Sequence, residues 1–446
     1  MDSHSPNVRQ LSVGILNQVE KNGVYADDLL DKTSSQQRLE QKDRALLVEL
    51  VNGTIRQRGH LDWILAQLYH GSLKTMPAQL KQILRLSIYQ IKFLDKVPEY
   101  AAVSEGVQLA KKSGGVAWGR LANGLLRNYL RKRNQLTFPS LTEDRVVAIS
   151  TFHSHPEWLI ERWLNRYGES NTLKYCEYNN RRPTLALRVN SDKNSRQALA
   201  EKLKAMGIEV QLSSYLSDFL RVQKLKDLMN TQVFRDGHFA IQDESTALPS
   251  ILLDPMEGDR IIDMCAAPGG KTCHIARLAN DRAMVFAVDI SGSRLRRLSE
   301  NAARLGLHSI ELIESDATKI SLPNVNKILL DAPCSGLGVL SKRSDLRWRR
   351  QPEDINKIQE VQRRLLRKAA ELLAPGGVLI YSACTLEPEE TELLIEDFLR
   401  QHVDCEIDAA FCPSISGIES DGGFWRTLPF LHDMDGSFSV RIIKHK

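Results

Sequence analysis

Two short segments carry side chains able to form and break covalent bonds. They are Asp331-Ala332-Pro333-Cys334-Ser335-Gly336 and Tyr381-Ser382-Ala383-Cys384-Thr385. A thiol is a potent nucleophile even when only a small fraction of it is ionised, so Cys334 and Cys384 are candidates for covalent catalysis. Each follows an apolar run, Lys327-Ile328-Leu329-Leu330 and Gly377-Val378-Leu379-Ile380, which predicts a buried strand ending just before each cysteine. In open α/β sheets that edge is where ligands bind.

A third segment, Asp263-Met264-Cys265-Ala266-Ala267-Pro268-Gly269-Gly270-Lys271-Thr272, also follows an apolar run. A phosphate-binding loop would need glycine six residues before the lysine, and Cys265 stands there. The remaining reading is a glycine turn that brings backbone N–H groups close to a ligand carboxylate at a helix start. Asp289 ends the next predicted strand, where an acid can hold a ribose diol, and the GxGxxG pattern of nicotinamide enzymes is absent. Asp316 closes the third strand and Asp331 the fourth. Helix capping or turn formation is the alternative for Asp316, which precedes Ala317.

This pattern resembles the Rossmann-like S-adenosylmethionine-dependent methyltransferases. The resemblance implies that Cys265, Ala266, Ala267, Pro268, Gly269, Gly270 and Lys271 hold the methionine part of the cofactor, Asp289 its ribose, and that Asp316 lies near its adenine. The two cysteine segments together resemble a narrower group, the RNA 5-methylcytosine methyltransferases of the Nol/Nop/Sun family. In that family the second cysteine attacks C6 of the base, so Cys384 maps to the nucleophile. Cys334 would assist release of the product, and Asp331 would contact the cytosine beside the cofactor's methionine end. Near the C-terminus, Met434-Asp435-Gly436-Ser437-Phe438 is similar to the family's closing motif, with Ser437 where phenylalanine is usual.

These groups need a scaffold. From about Phe239 strand and helix patterns alternate, which predicts a parallel sheet with crossover helices. Candidate strands are Arg260–Asp263, Met284–Asp289, Ile310–Glu314, Lys327–Leu330, Val378–Ser382, Cys405–Asp408 and Phe438–Ile443, with helices at Arg294–Leu305 and Pro352–Leu373. Upstream, Thr184–Asn190, Ile208–Leu212 and Phe219–Val222 read as short strands around a helix at Ser195–Met206. The N-terminal part is helical throughout, with Leu11, Ile15 and Val19, Leu46, Leu47 and Leu50, Leu84, Ile88 and Ile91, then Leu126 and Leu130 at helical spacing.

The expected organisation is multidomain: an all-α domain at 1–135, a linker at 136–149, a small α+β subdomain at 150–235 and an α/β Rossmann-like methyltransferase at 236–446. The helical part resembles the NusB-type RNA-binding domain. The whole arrangement resembles the branch of the family that methylates a cytosine in 16S ribosomal RNA, which would be the partner; the alternatives are tRNA or another RNA as substrate, and a NusB-like RNA-binding or assembly protein with an inactive methyltransferase fold.

At 446 residues the chain is too long for one core. Residues 1–135 hold 20 Lys/Arg against 12 Asp/Glu within a total net charge of +5, so the basic excess lies at the N-terminal end. That suits a polyanion, although a run such as Arg131-Lys132-Arg133 also reads as a solvated helix end. Seven cysteines without a CxxC pair support neither a disulfide framework nor a zinc site, and no metal is expected. Cys176, Cys265, Cys273, Cys405 and Cys412 are expected to pack or line the pocket. Trp348 and Phe424-Trp425 are candidate stacking groups for a base, and Glu389-Glu390 reads as a helix start after Pro388. No membrane span or signal peptide is apparent, so a cytoplasmic location is expected.

Overall fold

The computed structural model describes residues 7–222, 228–413 and 415–445. The chain divides into two compact units, Met1–Arg181 with Leu340–Arg350, and Arg182–Val339 with Gln351–Lys446.

The first unit is helical, with Val8–Asn22, Ala26–Gln36, Gln41–Arg56, Arg58–Leu68, Ala78–Phe93 and Glu99–Lys132 leading. Every apolar position singled out by helical spacing joins one core. Glu99–Lys132 is broken at Gly114 and Gly115, the latter at φ +78°, a left-handed conformation that glycine adopts without strain. Two further helices, Arg145–His153 and Glu157–Asn180, complete the unit. The first begins inside the stretch read as linker, because the Asp144 carboxylate caps it by accepting from the Val147 N–H.

Leu340–Arg350 packs in this helical unit although it lies late in the sequence. Arg347 anchors it: the side chain is fully buried, and the guanidinium donates to the carbonyls of Arg56, Ser154 and Asn179 and to Asn180 Oδ1. Burying a cation is costly unless its donors are satisfied; here oxygens satisfy both terminal nitrogens, while Nε is buried without a partner. The compact division therefore differs from a contiguous 236–446 domain at this segment, and it falls at Arg181 rather than at residue 149.

The second unit holds two sheets. Strands β1 Leu185–Val189, β2 Val210–Leu212, β3 Phe219–Val222 and β4 Phe239–Ile241 form an antiparallel sheet in the order β2-β3-β1-β4. Leu199, Ala200 and Leu203 of the helix Arg196–Ala205 cover it. β4 lies past residue 235, beyond the predicted end of the subdomain.

The main sheet contains β5 Arg260–Asp263, β6 Met284–Asp289, β7 Ile310–Glu314, β8 Val325–Asp331, β9 Leu373–Ala383, β10 Cys405–Ile407, β11 Ser420–Asp421, β12 Phe424–Thr427 and β13 Ser437–Lys444. Its order is β11-β12-β13-β9-β8-β5-β6-β7, with β10 paired to β13. The strands β9, β8, β5, β6 and β7 are parallel, and β13 is antiparallel to β9, so the sheet is mixed rather than parallel throughout. Ile328, Leu329 and Leu330 on β8 and Leu379, Ile380 and Tyr381 on β9 are fully buried, as central strands covered on both faces require. The chain runs outward from β5 through β6 to β7 and returns on the other side of β5 at β8. That makes the gap between β5 and β8 the topological switch point.

Candidate active site

The glycine turn fills that switch point. Gly269 sits at φ +101°, and a Cβ there would lie 2.4 Å from Leu298 Cγ, so only glycine fits. The helix Gly270–Leu278 follows, leaving its first N–H groups without helical partners. Thr272 Oγ1 donates to Asp263 Oδ2 at 2.7 Å, while Asp263 Oδ1 is buried with no partner. Burial pushes the Asp263 carboxyl up to about 7, only partly opposed by the Thr272 hydrogen bond. Cys265 is half-buried, and burial raises its thiol above the ordinary range.

Asp289 at the end of β6 pins this turn. Its Oδ2 accepts from the Ala267 N–H at 3.2 Å, and its Oδ1 accepts from the Ser291 N–H at 2.9 Å and from Arg294 at 3.1 Å. Asp316 behaves differently. Its Oδ1 accepts from the Thr318 N–H at 3.0 Å and from the Thr318 hydroxyl at 2.7 Å, and these bonds hold its carboxyl below the usual range. It forms the turn that its sequence position allowed.

The sheet register brings the two cysteine segments together. Asp331 on β8 pairs with Ser382 on β9. The Ser382 hydroxyl donates to Asp331 Oδ1 at 2.7 Å, and Lys271 Nζ donates to Asp331 Oδ2 at 2.6 Å. Burial works against the Lys271 charge, but the Asp331 carboxylate outweighs it and raises the ammonium above its usual range. Lys271 thus ties the glycine turn to the acid beside the cysteines. Beyond the strand ends, Cys334 Sγ and Cys384 Sγ lie 2.9 Å apart as free thiols. The hydrogen bond with Cys384 and then burial push the Cys334 thiol well up.

Glu390 is the residue that sequence reasoning missed. It lies in a short 3-10 turn, Pro388–Glu390, fully buried. Its Oε1 accepts from the Ser335 N–H at 2.8 Å and from Gln362 Nε2 at 3.1 Å, and the same Gln362 nitrogen donates to the Pro333 carbonyl at 3.0 Å. The Tyr381 hydroxyl donates to the Glu390 carbonyl at 2.7 Å, and the Ser335 hydroxyl to Thr385 Oγ1 at 2.9 Å. Both cysteine loops are therefore stapled to one buried acid, whose carboxyl burial pushes up. No local signal singles it out, since adjacent acids also open ordinary helices in this chain, at Asp27-Asp28 and Glu353-Asp354.

The closing motif supports the same loops. The Gly338 N–H donates to the Cys384 carbonyl at 3.0 Å, and the Gly436 N–H to the Gly338 carbonyl at 2.9 Å. A Cβ on Gly338 would fall 1.9 Å from the Gly436 carbonyl oxygen. Ser437 is buried; its N–H donates to Thr427 Oγ1 at 2.9 Å and its hydroxyl shares a hydrogen bond with the same oxygen at 2.8 Å. The Thr427 hydroxyl in turn donates to the Asp435 carbonyl at 2.6 Å.

Of the candidate stacking groups, Trp425 is a core residue, 2% exposed, and Phe424 packs tilted on Phe438 at 5.5 Å. Trp348 belongs to the helical unit, where its Nε1 donates to the Ile55 carbonyl at 2.8 Å. Cys176, Cys273 and Cys405 are buried, and Cys412 is exposed. Among the described residues no group of His, Cys, Asp or Glu could hold a metal ion, and no helix is long and apolar enough to cross a membrane.

A glycine turn at the β5–β8 switch point, with an acid ending the neighbouring strand, defines a Rossmann-like S-adenosylmethionine-dependent methyltransferase. Comparison with known proteins narrows the class. Residues 250–443 match the family model for 16S rRNA methyltransferase RsmB/F, residues 6–131 that of the NusB family, and residues 155–228 that of the RsmF/B-like ferredoxin-like domain. A relative from Synechocystis, "Probable ribosomal RNA small subunit methyltransferase B", is 36% identical over 98% of this chain and 99% of its own. The chain belongs to the RsmB/F family of methyltransferases. Among solved structures, PH0851 has the same fold at a TM-score of 0.81, 24% identity and coverage of 99% of both chains. NSun6 from Pyrococcus horikoshii with SFG gives a TM-score of 0.59 and 27% identity, over 65% of this chain and 98% of that one.

Proposed function

We propose that this chain transfers a methyl group from S-adenosylmethionine to C5 of a cytosine in 16S ribosomal RNA. The observation that carries the reading is the pair of free thiols 2.9 Å apart at the strand ends that also present Asp331. Two thiols in contact allow one to add to the base while the other assists its release.

The residues present suit the cofactor. Gly270 opens the helix with nothing within 4 Å of where a Cβ would stand, and Asp263 Oδ1 is an orphaned buried acceptor beneath the turn. Cys265 to Lys271, Asp289, Asp316 and Asp331 would hold it, and it supplies an electrophilic methyl group. The chain's own residues prepare the acceptor. The Cys384 thiolate bonds to C6 of the cytosine, which makes C5 nucleophilic. Asp331, oriented by Lys271 and Ser382, would contact the base, and a proton shared between its carboxyl and N3 neutralises the charge that gathers there. Once C5 carries the methyl group it loses its proton to a base, the C5–C6 double bond re-forms, and Cys384 leaves as thiolate. Cys334, in contact with Cys384, assists that release.

The target base must leave its stack to reach the thiols. The N-terminal basic excess, 20 Lys/Arg against 12 Asp/Glu over residues 1–135, supplies salt-dependent grip on the phosphates. The names of the chain's relatives favour ribosomal RNA over transfer RNA as substrate, and that substrate implies a cytoplasmic reaction. The test is incubation with methyl-labelled S-adenosylmethionine and either deproteinised 16S rRNA or bulk tRNA from a strain lacking the gene, followed by nucleoside analysis. Label in 5-methylcytidine from 16S rRNA is the expected result. Label confined to tRNA would move the substrate, and labelled rRNA without 5-methylcytidine would contradict the chemistry.

A further inference from the structure

The helical unit encloses a cavity of about 400 Å³ that no part of the methyltransferase reaction uses, and its lining residues all belong to that unit. The volume falls in the range of small-molecule sites, roughly 300–1,000 Å³. One wall is the Trp348 indole, fixed by its hydrogen bond to the Ile55 carbonyl, with the Arg58 guanidinium 5.2 Å from the ring centroid. A fixed indole flanked by a guanidinium is a stacking platform for a flat aromatic ligand.

The polar lining is unevenly satisfied. Glu20 is engaged by Arg85 at 2.7 Å and Lys81 at 3.2 Å, and Asp345 accepts from the Ala26 N–H at 3.3 Å. Arg349 Nη1 makes no hydrogen bond, although its guanidinium lies 4.0 Å from the Tyr25 ring centroid and 3.8 Å from Asp345. Lys21, exposed at the rim, makes no ion pair or hydrogen bond among the described residues. Deeper in, Thr54 is 1% exposed and its hydroxyl has no partner. The cavity thus offers a flat face, a buried hydroxyl short of a partner and, at the Lys21 rim, a cation with no acid paired to it among the described residues. A nucleotide combines the matching features: a planar base with polar edges and a phosphate.

We propose that this cavity binds one unstacked nucleotide of the RNA substrate, its base against Trp348 and its phosphate at Lys21 and Arg349. The inference rests on the RNA reading of function and extends it from the catalytic base to a second nucleotide held by the helical unit.

Two measurements on the full-length protein test it. The first titrates CMP, UMP, AMP and GMP while S-adenosylhomocysteine saturates the methyltransferase site, and follows tryptophan fluorescence. Quenching by at least one nucleotide, lost in Trp348→Phe and shifted about tenfold to higher concentration in Arg349→Gln, is expected; undiminished quenching in Trp348→Phe overturns the site. The second measures rRNA affinity against salt for wild type and Lys21→Gln, whose exposed side chain can change without disturbing the core. A slope of log K against log salt reduced by about one in Lys21→Gln marks a lost phosphate contact. Equal slopes, with rRNA bound by both, contradict the pocket alone. A wild-type protein that binds no rRNA contradicts the proposed function, and with it the RNA origin of the nucleotide.

Discussion

The helical unit and the methyltransferase sheet both bury carboxylates, and they treat them in opposite ways. Glu20 is surrounded by Arg85, Arg58 and Lys81; burial alone would raise its carboxyl, but these cations bring it down to about 2. At Asp263 burial dominates and takes the carboxyl up to about 7, with Asp331 adding to it and the Thr272 hydroxyl and the Lys271 charge opposing it too weakly. Glu390 is likewise pushed up, with only neutral donors at its Oε1. In the first region charge is neutralised and the acid serves stability. In the second, Asp263 and Glu390 have no direct ion pair among the described residues, although Asp331 and Asp289 near them do, and perturbed groups of that kind mark function.

The two regions therefore respond to pH with opposite sign. Glu20 titrates lower in the folded chain than the usual 4.5, so its contribution is complete above that pH and is lost as pH falls toward 2. Asp263 titrates higher than the usual 3.8, so its contribution is complete below that pH and is lost as pH rises through about 7.

The contrast can be broken most forcefully at Arg85, which holds both Asp62 oxygens at 2.6 Å and Glu20 at 2.7 Å. Arg85→Met strips half-buried Asp62 of both its hydrogen bonds and leaves Glu20 with only Arg58 and Lys81, and should cost about 3–5 kcal/mol at neutral pH, measured by urea unfolding, with the loss shrinking below pH 4 as the acids protonate. At the other pole, Asp263→Asn should stabilise the protein at pH 8 by on the order of 2–4 kcal/mol and leave it nearly unchanged at pH 4. Its affinity for S-adenosylmethionine should fall about tenfold by calorimetry, roughly 1.4 kcal/mol. Stability and cofactor binding that moved together would show that Asp263 is merely structural.

Glu390→Ala strands the Ser335 N–H and should cost about 1–3 kcal/mol, with kcat falling more than cofactor affinity because the cysteine loops lose their staple. Since burial favours its uncharged form, Glu390→Gln should recover most of both; if it does not, the carboxylate itself is needed. The smallest effect is expected at Ser437→Ala, about 0.5–1.5 kcal/mol for one hydrogen bond, with rRNA affinity unchanged. A change in that affinity would give this serine a contact of its own with the substrate.

Much of this was legible in the sequence where signals are local. Arg260–Asp263, Met284–Asp289 and Ile310–Glu314 appear with the predicted bounds, because each is an apolar run closed by turn residues or an acid. The helical spacing of the N-terminal leucines and isoleucines identified their shared core. What escaped depends on partners distant in sequence. β4 and β11 are three and two residues long, too short for any periodicity, and are strands only because β1 and β12 pair with them. Glu390 becomes a staple only when β8 and β9 bring Ser335 to it across 55 positions. Arg347 reads as one basic residue in Arg347-Trp348-Arg349-Arg350, yet it is the buried anchor of a segment that packs with helices from the opposite end of the chain. At the site, the residue types and strand ends were visible, whereas the Lys271–Asp331 link and the contact between the thiols required the register.

The central claim is that the two cysteines divide the labour of attack and release. It is tested most directly by incubating wild type, Cys384→Ala and Cys334→Ala with S-adenosylmethionine and a 16S rRNA fragment, native or carrying 5-fluorocytidine, and resolving covalent protein–RNA complexes on denaturing gels. Fluorine at C5 blocks proton loss and traps the adduct, so wild type should be trapped on the fluorinated RNA and Cys384→Ala should form no complex. Cys334→Ala should accumulate a stalled complex even on native RNA. A covalent complex from Cys384→Ala, or free turnover by Cys334→Ala, would contradict the assignment.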